Sequence, residues 1–91
     1  MQDAEKLARI FKALSVDSRV KILQMLKERS LCVNALAARL NITPAAVSQH
    51  LRILRDADLL IFDKRGNFVH YEVNFDKLEE WQKQVNELLQ L

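Results

Sequence analysis

The sequence predicts a mainly α chain with one small β-hairpin, in the order H-H-H-H-E-E-H. Three observations predict it. Apolar residues recur at three- and four-residue spacing through most of residues 3–56 and again toward the C-terminus. Residues 59–73, LLIFDKRGNFVHYEV, switch to β-branched and aromatic types broken at Arg65-Gly66-Asn67. Two of the helices are joined by a turn of about four residues, a helix-turn-helix spacing.

Each element has its own local signal. Residues 3–14 place Leu7, Ile10, Phe11 and Leu14 on one helical face. Asp17 is a capping residue for a second helix, DSRVKILQMLKER, with Val20, Ile22, Leu23 and Leu26 apolar. A short third helix is expected over LCVNALAARL, built on Leu36, Ala37 and Leu40. Asn41 follows, and Asn is the residue after Gly best suited to a left-handed turn. Thr43 and Pro44 then open a fourth helix, TPAAVSQHLRIL. The Thr hydroxyl can cap free backbone N–H groups, and Pro fits the first helical position. Val47, Leu51 and Leu54 form its buried stripe. Gly66 and Asn67 supply positive φ angles for the hairpin turn, and Val69, Tyr71 and Val73 share one strand face. Asn74 or Asp76 caps a last helix with the stripe Leu78, Trp81, Val85, Leu88 and Leu89.

Helix-turn-helix followed by a hairpin is a winged helix-turn-helix. Such a turn lays one helix across the other and projects the outer face of the second. Ala37 is small at the expected crossing, and Leu36, Leu40, Ile42 and Val47 fill the space below. The projecting face carries Ala45, Ser48, Gln49 and Arg52, short or hydrogen-bonding residues that suit entry into the major groove of double-stranded DNA.

Composition bounds the rest. Ninety-one residues with a single Gly and a single Pro leave no flexible linker, so residues 1–91 are read as one domain. No apolar run approaches the roughly 20 residues of a membrane span. The start, MQDAEKLARIF, is acidic and amphipathic rather than a signal peptide, and Cys32 has no partner for an internal disulfide. A cytoplasmic protein with no membrane association is expected. Residues 74–91 carry two lysines against four acidic residues, whereas the remainder has twelve basic and eight acidic residues. That imbalance permits a polyanionic partner.

The four segments ALSVDSRVKIL (13–23), LCVNALAARL (31–40), AAVSQHLRILRDADLL (45–60) and RGNFVHYEV (65–73), in this order, resemble the ArsR/SmtB family of small winged-helix transcriptional repressors. The resemblance covers nearly the whole chain. It departs at Asp58, where the family usually has Gly, so the lead into the wing is expected to differ locally. The resemblance implies a homodimer on a pseudo-palindromic operator, with the first and last helices at the dimer interface. Leu7, Ile10, Phe11, Leu78, Trp81, Val85, Leu88 and Leu89 are the candidate interface residues.

The candidate DNA-binding residues are Thr43, Ala45, Ser48, Gln49, Arg52, Arg55, Lys64 and Arg65. Thr43 can donate to a phosphate at the helix N-terminus. Gln49 suits adenine and Arg52 suits guanine, although either can contact only the backbone. Lys64 and Arg65 can reach phosphates or the minor groove from the wing, or form a solvated hairpin tip. Arg55 can contact a phosphate or pair with Asp58. His50 and His70 are read as packing residues, and Arg19 as a structural ion-pair or capping residue.

Relatives that sense metals or oxidants require ligand residues. The third helix offers Cys32, Val33, Asn34 in place of Cys-x-Cys, and no His follows His70. No metal site and no cofactor are therefore expected. Cys32 is either a redox-responsive thiol at a helix start or a small packing residue; the effector, if one exists, is left open. No Gly-rich phosphate loop or nucleophile–base pair suggests an enzyme. The alternative to a DNA-binding regulator is a winged-helix module that docks proteins, favoured only by Ile53 at the edge of the outer face.

Overall fold

The computed structural model describes residues 2–91. Five helices surround a small sheet: α1 (Ala4–Ala13), α2 (Asp17–Leu26), β1 (Leu31–Cys32), α3 (Val33–Leu40), α4 (Pro44–Asp56), β2 (Leu60–Arg65), β3 (Phe68–Val73) and α5 (Phe75–Leu89). The helix-turn-helix and hairpin order expected from the sequence is present. The sheet has three antiparallel strands rather than two, in the order β1-β3-β2. Leu31 and Cys32 lie opposite Tyr71 and His70. The third helix consequently starts two residues later than its apolar pattern suggests.

The core lies where α2, α3, α4 and the sheet meet. Ile22, Leu36, Val47, Leu54 and Leu59 are fully buried there. Each such side chain contributes about 1.5–3 kcal/mol of burial, and truncating one to Ala destabilises by about 2–5 kcal/mol. Ala37 is buried with them. Its small side chain lies on the buried face of α3, the first helix of the helix-turn-helix.

The helix ends show how local chemistry sets these boundaries. Asp3 caps α1, its carboxylate accepting from the N–H groups of Glu5 and Lys6. Asp17 does not cap α2. Val16 occupies the cap position in extended conformation, its carbonyl accepting from the Arg19 and Val20 N–H groups. Asp17 is the first helical residue, where its negative charge faces the positive end of the helix dipole and lies 3.5 Å from Lys21 Nζ. Asn74 caps α5 by accepting from the Lys77 N–H.

Two helices end on left-handed residues, and neither is glycine. Asn41 closes α3 at φ 54°, and the Ile42 N–H donates to the Ala37 carbonyl. Asp58 closes α4 at φ 63°, with Asp58 N–H to Arg55 O at 2.8 Å and Leu59 N–H to Leu54 O at 3.1 Å. That pair of bonds is a Schellman motif, in which the left-handed position normally favours Gly. Asp58 thus supplies the glycine conformation with a different residue, and its carbonyl accepts from Asn74 Nδ2 at 3.1 Å.

The wing turn differs from expectation in one residue. Arg65 pairs with Phe68, leaving Gly66 and Asn67 as the two-residue loop. Gly66 has φ +61°, but Asn67 is not among the positive-φ residues. A turn with Gly at the first central position needs only that one inversion. A Cβ on Gly66 would meet nothing within 4 Å, so the requirement is conformational rather than spatial.

Candidate nucleic-acid interface

The presentation of α4 begins at its first turn. Thr43 Oγ1 accepts from the Ala46 N–H at 3.1 Å, and Pro44 stands at the first helical position. Val47, Leu51 and Leu54 anchor the helix in the core. The opposite strip, Ala45, Ser48, Gln49 and Arg52, is exposed, as are Thr43 and Arg55. Ile53 is also exposed, at 41%.

Strand alternation separates the two wing cations. Phe62 and Lys64 share one face of β2, and Asp63 and Arg65 share the other. Arg65 Nε lies 3.4 Å from Asp63 Oδ2, an exposed pair contributing little to stability. Lys64, Arg52 and Arg55 have no ion-pair partner among the described residues. Arg55 does not pair with Asp58. Its guanidinium carbon instead stands 5.3 Å from the centre of the Phe62 ring. Phe62 in turn leans on its cross-strand partner Tyr71, with ring centres 5.9 Å apart and planes at 38°. Between α4 and β3, a notch of about 180 Å³ is lined by Ser48, Leu51, Arg52, Arg55 and Tyr71. Sequence reasoning missed Phe62 as part of this surface. The alternation of β2 could have placed it beside Lys64, but no local pattern predicts its contact with Arg55.

Arg19 and His50 fix α4 from behind. Arg19 is buried, and it donates from Nε to the Ala13 carbonyl at 2.7 Å and from Nη2 to the Lys12 carbonyl at 3.1 Å. It thereby serves two carbonyls in the last turn of α1; that of Lys12 also accepts from the Ser15 N–H at 3.2 Å and the Ser15 hydroxyl at 2.8 Å. Its Nη1 lies 3.4 Å from His50 Nδ1 on α4. Burial and the adjacent Arg19 charge hold the His50 pKa below its ordinary value, and Asp17 opposes them. His50 is thus a half-buried packing residue on the flank of α4.

The candidate dimer residues divide into three groups. Leu7, Ile10 and Trp81 are buried within the chain itself. Leu78 and Val85 are half-buried. The exposed apolar residues of α1 and of the C-terminal end are Phe11, Leu88, Leu89 and Leu91. Intramolecular packing of α1 against α5, tied by Gln2 Nε2 to the Gln84 carbonyl at 2.9 Å, covers the rest.

Cys32 is a half-buried free thiol in the cap position of α3, with no side-chain capping bond. Its cross-strand partner His70 has a buried Nδ1 without a hydrogen-bond partner among the described residues. No group of three or more His, Cys, Asp or Glu residues suited to hold a metal ion occurs among the described residues. No helix there is long and apolar enough to cross a membrane.

Comparison with known proteins agrees with this architecture. Residues 17–61 match the family described as bacterial regulatory protein, arsR family. The chain is 34% identical over 71 residues to the transcriptional repressor SdpR of Bacillus subtilis (strain 168), covering 78% of this chain and 79% of that protein. It is 32% identical over 90 residues to a transcriptional repressor SmtB homolog of Synechocystis sp., covering 99% of this chain and 68% of that protein. An ArsR-like transcriptional regulator from Rhodococcus sp. RHA1 superposes with a TM-score of 0.81 at 27% identity, over 93% of this chain and 80% of that one. With the winged helix-turn-helix in place and relatives of this extent, the chain belongs to the ArsR family of bacterial regulatory proteins.

Proposed function

We infer that this chain is a sequence-specific DNA-binding transcriptional regulator, a repressor that binds a pseudo-palindromic operator as a homodimer. The observation that carries the reading is the exposed strip Ala45, Ser48, Gln49 and Arg52 on a capped, core-anchored helix, flanked by the unpaired cations Arg55 and Lys64. The strip suits the major groove, and the cations suit phosphates. Membership in a family of regulatory proteins favours this reading over a protein-docking module and over an enzyme.

In this reading Thr43, Ser48, Gln49 and Arg52 contact DNA from the helix, with Ala45 allowing close approach. Lys64 contacts phosphates from the wing, and Arg65 assists after releasing Asp63. Residues 1–91 act as one domain whose first and last helices meet those of a second copy through Phe11, Leu88 and Leu89. A patch of this kind on both ends of a small chain favours self-association. The protein acts in the cytoplasm, where its DNA is.

The test is selection of binding sites from a random duplex pool at near-physiological salt. The expected result is a palindrome with half-sites about one helical turn apart. Recovery of no motif, with only weak salt-sensitive binding under reducing and metal-free conditions, would overturn the reading.

A further inference from the structure

Helix-in-groove docking does not explain Arg55. In such docking the N-terminal residues of the second helix approach the base edges. Arg55 stands in the last turn of α4, on the side facing the wing. It makes no ion pair among the described residues and lies over the Phe62 ring at 5.3 Å. Phe62 is half exposed, and the faces it offers are taken up by Arg55 and Tyr71 rather than by the core. The notch beside Arg55 is lined by Ser48, Arg52, Arg55 and Tyr71 together with Leu51. No carboxylate lines it. Three kinds of donor and no acceptor-only group make an anion site, and Arg offers the fork that suits phosphate oxygens.

Resting on the DNA-binding reading above, we propose that this notch seats one backbone phosphate of each operator half-site, and that Phe62 is the positioning residue that holds Arg55 toward it. The location fits a backbone phosphate rather than a base. The notch lies between α4 and the wing, where a strand leaving the major groove passes toward the wing. Lys64, on the same face of β2 as Phe62, extends the line of positive charge. A free arginine samples many rotamers, and ordering it opposes binding. Stacking on Phe62 orders it in advance. At an exposed site such stacking corresponds to about two- to fivefold in an equilibrium constant.

The experiment is a double-mutant cycle on the recovered operator with Phe62→Leu, Arg55→Ala and the pair, each measured over a salt series. Phe62→Leu should weaken a dimer by about four- to 25-fold, the single-site factor acting twice. Phe62→Tyr keeps the ring and should restore binding. Phe62→Leu should add no loss in the Arg55→Ala background. Arg55→Ala should flatten the slope of log affinity against log salt by about 0.9 per half-site while sequence preference is retained. A scan with single uncharged methylphosphonate linkages should find one position per half-site that weakens the wild type but not Arg55→Ala. Independent, multiplying losses, or an unchanged salt slope in Arg55→Ala, would overturn the proposal while leaving the operator reading intact. Failure of the wild type to recover any operator would overturn both.

Discussion

Replacing Arg19 with Met tests whether the guanidinium is what joins the end of α1 to α2. The change keeps an unbranched chain of similar length and removes two charge-assisted bonds, to Ala13 O at 2.7 Å and Lys12 O at 3.1 Å. Hydrogen bonds to charged groups contribute about 1.5–3 kcal/mol each, so the gross loss is about 3–6 kcal/mol. Burying a guanidinium without a carboxylate partner opposes that gain, and Met retains part of the packing. The net loss should be about 2–4 kcal/mol. In a domain of this size each kcal/mol moves the midpoint by about 4–8 °C, which places the fall at about 8–32 °C. The assay is thermal unfolding by circular dichroism at fixed protomer concentration, since dimerisation makes Tm concentration-dependent. A fall of less than about 4 °C would show that the two α1 carbonyls are equally well served without Arg19, that of Lys12 by Ser15 and that of Ala13 by water, and the linking role would be refuted.

Three further outcomes are expected. Asp58→Gly removes a left-handed strain of about 1–2 kcal/mol and returns about 0.4–1 kcal/mol through the freer unfolded chain. Unfolding in denaturant should show a gain of about 0.5–1 kcal/mol, and a loss would mean that Asp58 is held by something besides its φ. His50 carries a lowered pKa in the folded state, so above the ordinary imidazole value both states are neutral and it has no effect on stability. As pH falls through about 6.5 the unfolded chain takes up a proton that the native state resists, and stability declines; His50→Gln should be flat over that window by the same denaturant assay, and an unchanged decline would assign it elsewhere. In operator binding, Arg52→Ala should relax preference at one base position, by about 1–3 kcal/mol of discrimination. Lys64→Gln should weaken all sequences alike and flatten the salt slope more than Arg65→Gln, because Arg65 is already engaged with Asp63; equal effects of the two would refute the separation by strand face.

The elements legible in the sequence are those whose signal is local. The Thr43 hydroxyl with Pro44, the Asn41 turn and the 3.6-residue stripes of α1, α4 and α5 act within a few residues of themselves. The strand β1 is different. Leu31 and Cys32 are extended only because Tyr71 and His70, some 40 residues later, offer a partner strand. Asp17 failed as a cap because Val16 turned the chain one residue earlier, with Arg19 anchored behind it. In the candidate interface, the outer strip of α4 follows from periodicity alone. The fate of each wing cation follows from strand parity, a rule that needs the register of Arg65 against Phe68. The Arg55–Phe62 contact depends on how α4 meets the sheet, and no spacing within one element encodes it.

The sheet order leaves β2 with one free edge. Five of its six residues are exposed, including Ile61 and Phe62. An unpaired strand with two large apolar residues is a template on which other chains can stack into aggregates. Asp63, Lys64 and Arg65, directly after them, act as gatekeepers against that fate. Charge at the wing therefore has a second duty, colloidal protection, that operates whether or not DNA is present. Replacing these residues with valine or isoleucine would lengthen the sticky segment, and lost DNA binding could then reflect precipitation. Polar replacements such as glutamine keep the two duties experimentally apart.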